Sequence, residues 1–144
     1  MQTLCYRIDI HATQQKVWDV LWATDSYSTW TQFFSNGSTM QSDWKLGGKT
    51  YFLDAKGNGM LSTIERLDIP HAVVFKHLGF IQDGKEDLDS DEVKTWSGAL
   101  EKYLLSHVDG VTTVQVEVDI PPAYADCMDK GFEQGLQVLK QLAE

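Results

Sequence analysis

The stretch PPAYADCMDKGFEQGLQVLKQLAE, residues 121–144, decides the fold. Tyr124, Met128, Phe132, Gly135, Leu139 and Leu142 recur at spacings of three and four, while Asp126, Asp129, Lys130, Glu133, Gln137, Lys140 and Gln141 fall largely elsewhere. This is the period of a long amphipathic helix. Its apolar stripe has to be covered, and the rest of the chain must supply the cover.

Leu4, Tyr6, Ile8 and Ile10 alternate with Cys5, Arg7 and Asp9, the period-two pattern of a half-buried strand. Thr13 suits a helix N-cap, and Val17, Trp18, Leu21 and Trp22 predict a short amphipathic helix behind it. A second short helix is expected over residues 25–34, ending near Asn36-Gly37. From there Gly47-Gly48, Asn58-Gly59, Pro70-His71, Asp83-Gly84 and Asp109-Gly110 separate runs rich in β-branched and aromatic residues. Strands are predicted over 38–44, 49–55, 60–69, 72–80, 95–108 and 112–120. With the first, they make a seven-stranded antiparallel meander. So few helices cannot bury both faces of seven strands. The predicted class is therefore α+β: one domain over residues 1–144, with a curved antiparallel sheet wrapped around the C-terminal helix and two short helices between strands 1 and 2. Residues 81–94 are polar and acidic and are expected to form a mobile loop. Asp87, Asp89 and Asp91 imitate the start of a calcium loop, but Glu92 stands where such a loop needs glycine and Gly98 where it needs glutamate.

Charge narrows the function classes. A net charge of −9, with only 12 Lys and Arg spread along the chain, disfavours nucleic acid and anionic membranes, which are bound by neutralising phosphates. No signal-like start and no apolar run of membrane-spanning length is present, so a cytoplasmic protein is expected. In that compartment Cys5 and Cys127 are read as buried free thiols rather than a disulfide. Four scattered histidines without paired spacing give no basis for a metal site, and neither a nucleophile elbow nor a glycine-rich phosphate loop occurs. No cofactor and no catalytic constellation are expected.

Several segments nevertheless follow a familiar order: Val17-Trp18-Asp19-Val20-Leu21, Trp30, residues 44–52, residues 59–70, Val73-Val74-Phe75 and residues 131–139. Together they resemble a START-related (SRPBCC) domain over nearly the whole chain. The most similar subgroup is the one typified by the C-terminal domain of the activators of the ninety-kilodalton heat-shock chaperone; the other domain of those activators has no counterpart here. The resemblance implies a helix-grip fold with a cavity between sheet and helix, used across the superfamily for lipids, hormones, polyketides and other hydrophobic molecules. It licenses a ligand class, not a reaction.

Large side chains expected on the inner surface are Trp30, Phe33, Phe34, Trp44, Phe52, Met60 and Ile64, followed by Phe75, His77, Trp96, Leu100, Tyr103, Met128 and Phe132. Taken singly, each aromatic among them is better explained by core packing, and only together do they point to a lining. His77 shares strand parity with Phe75 and is read as a satisfied or partly exposed strand histidine, with a polar anchor or base as the sharper alternative. Glu65 and Arg66, with Glu101 and Lys102, are expected on the wet face. The predicted function is binding or carriage of a small apolar molecule, lipid-like or aromatic, by a monomer or homodimer. Two alternatives stand beside it: an interaction module with a chaperone partner, and a cyclase or aromatase-like enzyme using His77, Tyr103 and a cavity carboxylate.

Overall fold

The computed structural model describes residues Met1–Glu144. The elements in order are β1 (Gln2–Ile10), α1 (Gln14–Trp22), α2 (Thr24–Trp30), β2 (Thr39–Ser42), β3 (Lys49–Leu53), β4 (Gly59–Asp68), β5 (Ala72–Gln82), β6 (Lys85–Asp87), α3 (Asp91–Lys94), β7 (Leu100–Val108), β8 (Val111–Ile120) and α4 (Ala125–Ala143). The strands form one antiparallel sheet in the order β1-β8-β7-β5-β4-β3-β2, with β6 paired to the end of β5. The Thr13 hydroxyl caps α1 by accepting from the Lys16 N–H, and Ala23 both ends α1 and starts α2.

The acidic stretch is the largest departure from expectation. Residues 81–94 do not form an open loop: β5 runs on to Gln82, Asp83 and Gly84 take positive φ in a two-residue turn, and β6 returns. Asp87 then accepts from the Asp89 and Ser90 N–H groups, and Ser90 caps α3. The sheet therefore has eight strands, not seven, and the strand expected from residue 95 begins only at Leu100. Two apolar residues in this acidic context explain the order. Val93 is fully buried, and the Trp96 ring packs edge-on to Phe80 with centroids 4.9 Å apart.

The helix stripe is also rotated slightly from its predicted course. Phe132, Gly135, Leu136, Leu139 and Ala143 are buried, whereas Tyr124 is 52% exposed in a 3-10 turn before the helix and Leu142 is 40% exposed. Cys5 and Cys127 are both free, but exposed rather than buried: Cys5 follows the outward parity of β1, and Cys127 lies in the first turn of α4.

Helix α4 does not lie centrally over the sheet. It packs against α2, α1 and β1. The α2 contact is very close: a methyl group placed on Gly135 would stand 2.5 Å from the Trp30 carbonyl oxygen, and one on Gly131 would run into the Phe34 ring. Trp30 is held from behind by its indole N–H, which donates to the Leu21 carbonyl at 3.0 Å. At the α1 end, Trp18, Trp22 and Trp44 fill the space above Phe75 and Tyr103, with the Trp22 ring 4.9 Å from Tyr103 and 5.6 Å from Phe75. That end of the sandwich is occupied by packed aromatic rings.

Gly135→Ala is expected to destabilise the protein by about 1–3 kcal/mol, outweighing the roughly 1 kcal/mol that alanine gains over glycine in a helix. Gly131→Ala, which meets only a partly exposed ring, is expected to change stability little. Urea unfolding of both variants checks this, and equal midpoints would show that the helix contact is not tight.

Candidate functional site

Because α4 is held to the β1 side, the concave face of β3, β4, β5 and β7 is left partly uncovered, and a cavity of about 660 Å³ opens there. Such a volume lies within the range of small-molecule sites, roughly 300–1,000 Å³. Trp30, Tyr103, His77 and Phe132 line its buried part, with Phe52, Met60 and Trp96 along the walls. Phe33 and Phe34, each 37% exposed on the turn after α2, stand at the mouth with Met128 of α4.

Four residues expected in the lining lie elsewhere. Trp44 belongs to the tryptophan cluster against Trp18 and Trp22. Ile64 and Phe75 are fully buried core residues beneath that cluster, and Leu100 is a half-buried strand residue whose N–H donates to Asp119 at 3.0 Å. For Trp44, Ile64 and Phe75 the reason is the off-centre helix, since inward side chains face a cavity at one end of the sheet and packed indoles at the other; Leu100 has the opposite parity to Glu101 and Tyr103 on β7.

The sequence reading missed the residue with the most chemical consequence. Glu101 points inward, not to the wet face. Its Oε2 accepts from the Tyr103 hydroxyl, and its Oε1 lies 3.2 Å from His77 Nε2. The signal was available, since Glu101, Tyr103 and Leu105 share one face of β7 by simple alternation. Glu65, by contrast, is on the outside, with Oε1 4.0 Å from Lys76 Nζ. His77 is fixed from its other side, where Nδ1 lies 2.6 Å from the Ser62 hydroxyl. A β-bulge creates this contact: Leu61 pairs with Gly79 but Ser62 pairs with His77, so the strand slips one residue where the imidazole turns inward. Both ring nitrogens of His77 therefore have a partner, Nε2 in Glu101 and Nδ1 in Ser62. His77 is thus anchored by a carboxylate that linear spacing did not reveal.

Tyr27 was also missed. It lines the cavity, is 8% exposed, and its hydroxyl makes no hydrogen bond within the protein. Burial, and then the Glu101 charge, push the Tyr27 and Tyr103 hydroxyls well above the ordinary phenol range. Both are therefore neutral donors at any physiological pH.

The Ser62, His77 and Glu101 chain has the membership of a hydrolase triad but not its geometry. Ser62 is 0% exposed and does not border the cavity, so no substrate carbonyl reaches its oxygen. Its part is to hold the imidazole. The site can offer an apolar enclosure closed at depth by a carboxylate, two phenols and an imidazole.

A sheet closed over a long C-terminal helix with a cavity between them defines the helix-grip class of the SRPBCC superfamily. The chain belongs to the family of activator of Hsp90 ATPase homolog 1-like proteins, whose model matches residues 11–144. No curated protein matches it at the sequence level. Among solved structures it is similar to the Aha1 dimer from Colwellia psychrerythraea, at 19% identity and TM-score 0.69, covering 100% of this chain and 97% of that one. It is similar to CalU16 from Micromonospora echinospora at 16% identity and TM-score 0.67, covering 99% and 76%. DynU16, a protein of the dynemicin biosynthetic locus, aligns at 12% identity and TM-score 0.70 over 98% of this chain, which spans only 46% of DynU16. At these identities the likeness is one of fold.

The raised phenols set an alkaline limit on stability. Below about pH 10 Tyr27 and Tyr103 are neutral in both folded and unfolded chains, and their contribution is fully present. At higher pH only the unfolded chain ionises freely, so stability falls as pH rises. Phenolate absorbance of these two residues is expected only together with loss of near-ultraviolet circular dichroism, with Tyr27→Phe and Tyr103→Phe assigning the signal. Reversible ionisation of all five tyrosines in the intact fold would contradict the burial described.

Proposed function

We propose that this chain is a cytoplasmic binding or carrier protein for a small, mainly apolar molecule held between sheet and α4. The observation that carries the reading is the 660 Å³ cavity, lined mostly by hydrophobic residues yet ending in the Glu101, His77 and Tyr103 network. An apolar wall with few, convergent polar groups is the composition of a site that binds by burial and orients by hydrogen bonds. Filling it also removes its apolar wall from water, at about 25 cal/mol per Å² of apolar surface covered. The residues assigned to the guest are Trp30, Phe34, Phe52, Met60, Phe132 and the polar network, with Phe33, Trp96 and Met128 at the periphery. The two free thiols accord with a reducing compartment.

One observation favours a second reading, in which the site performs proton transfer of the cyclase kind: Glu101 carries unused lone pairs beside His77 and Tyr103, inside an apolar enclosure. The base would then be Glu101, with His77 and Tyr103 holding its orientation. A chaperone-associated role, and a dimer, are supported by the family description and by the Colwellia relative.

Native mass spectrometry of the purified protein, followed by organic extraction, is expected to show an extractable guest, and the emptied protein should bind Nile red. An unliganded protein that takes up no apolar dye would remove the carrier reading. Deuterium exchange into an aromatic 1,3-diketone, abolished by Glu101→Gln, distinguishes the catalytic reading. Salt-sensitive capture of the chaperone by the immobilised chain would support the third.

A further inference from the structure

The polar groups of the cavity are unevenly charged. Asp54, Glu101 and Asp119 border it, against Lys130 alone, and Lys130 is an exposed residue at the mouth. Two of the three carboxylates are occupied within the protein. Asp54 Oδ1 accepts from the Lys56 and Asn58 N–H groups, and Asp119 accepts from the Thr3 hydroxyl and the Leu100 N–H. Glu101 is different: its two partners are a phenol and an imidazole, its side chain is 20% exposed, and no lysine or arginine pairs with it. Tyr27, more than nine-tenths buried as a residue, lines the same cavity, and its hydroxyl has no hydrogen-bond partner within the protein.

We propose, building on the carrier reading, that the guest is an amphiphile whose apolar body carries a protonated amine, and that the ammonium sits at Glu101 and Tyr27. A carboxylate in an apolar enclosure is costly unless a cation neutralises it. An ammonium supplies both the charge and the donors: one N–H to the free lone pairs of Glu101, another to the unpaired Tyr27 oxygen. The surrounding aromatic rings of Trp30, Phe52 and Tyr103 favour a cation over any anion by their negative faces. The same geometry disfavours fatty acids and other anionic amphiphiles, because their head group at the deep end would meet the Glu101 carboxylate, with no lysine or arginine there. The selectivity is therefore set by repulsion as much as by attraction.

The test uses three probes with one body, 4-phenylbutylamine, 4-phenylbutanol and 4-phenylbutyrate at neutral pH, measured by Nile red displacement and calorimetry on the extracted protein. The amine is expected to bind tightest and the acid weakest, each step being about tenfold. Glu101→Gln, which keeps the shape and an acceptor for Tyr103, should remove the advantage of the amine over the alcohol, read as the ratio of the two affinities measured on the same variant. Tyr27→Phe should weaken the amine selectively and more mildly. An acid that binds as tightly as the amine overturns the proposal, as does an amine advantage that survives Glu101→Gln. If Nile red binds but the three probes do not differ, the charge selection fails and the carrier reading stands. If neither dye nor probes bind, both fall. The order of affinities in the unmodified protein decides the matter even where Glu101→Gln does not fold.

Discussion

The contact between α4 and α2 through Gly135 and Trp30 governs the rest of the molecule. A backbone carbonyl lies where any other residue at 135 would place a methyl group, and the indole behind that carbonyl is tied to α1 by its own hydrogen bond. The helices therefore approach as one unit, and α4 is drawn to the β1 edge rather than to the centre of the sheet. The helix has nineteen residues and covers only a strip of the concave face. Displaced to one side, it leaves β3, β4, β5 and β7 facing space. The cavity is thus a consequence of close packing elsewhere, as expected when interiors are dense and elements cannot deform continuously to fill gaps.

The two ends of that space have opposite character. Trp18, Trp22 and Trp44 pack edge to face over Phe75 and occupy one end with packed aromatic rings. At the other end the strands bring together Ser62, His77, Glu101 and Tyr103, from β4, β5 and β7. Ser62 and His77 are fifteen residues apart in sequence, and His77 and Glu101 twenty-four, yet they lie on neighbouring strands and share a hydrogen-bonded chain. Buried polar groups persist in such a setting only when each has a partner. The network meets that condition internally, while Glu101 retains lone pairs beyond its two partners and the nearby cavity wall carries Tyr27, whose hydroxyl is unpaired.

Family membership and function separate cleanly here. The chain shares its fold with an Aha1 protein and with proteins such as CalU16 and DynU16, while identities of 12–19% carry no residue roles across. Helix-grip proteins differ in what their cavities present, so the argument for this chain rests on its own glutamate and phenols rather than on the company it keeps.

Much of the architecture was legible in local patterns. The stripe in residues 121–144, the alternation of β1 and the regular glycine turns specified an antiparallel sheet with a terminal helix, because side-chain periods of 3.6 and 2 are set by backbone geometry alone. Alternation along β7 also turns Glu101 inward, against the general preference of charged residues for wet faces, because His77 and Tyr103 supply it with partners there. The ordered course of residues 81–94 was hidden because an acidic composition outweighed Val93 and Trp96, whose burial depends on Phe80 and neighbours distant in sequence. Which of the inward aromatics line a void and which fill a core was decided only in three dimensions. Trp44 and Trp30 are indistinguishable as residues, and their different fates follow from where a helix can approach a backbone without a side chain in the way.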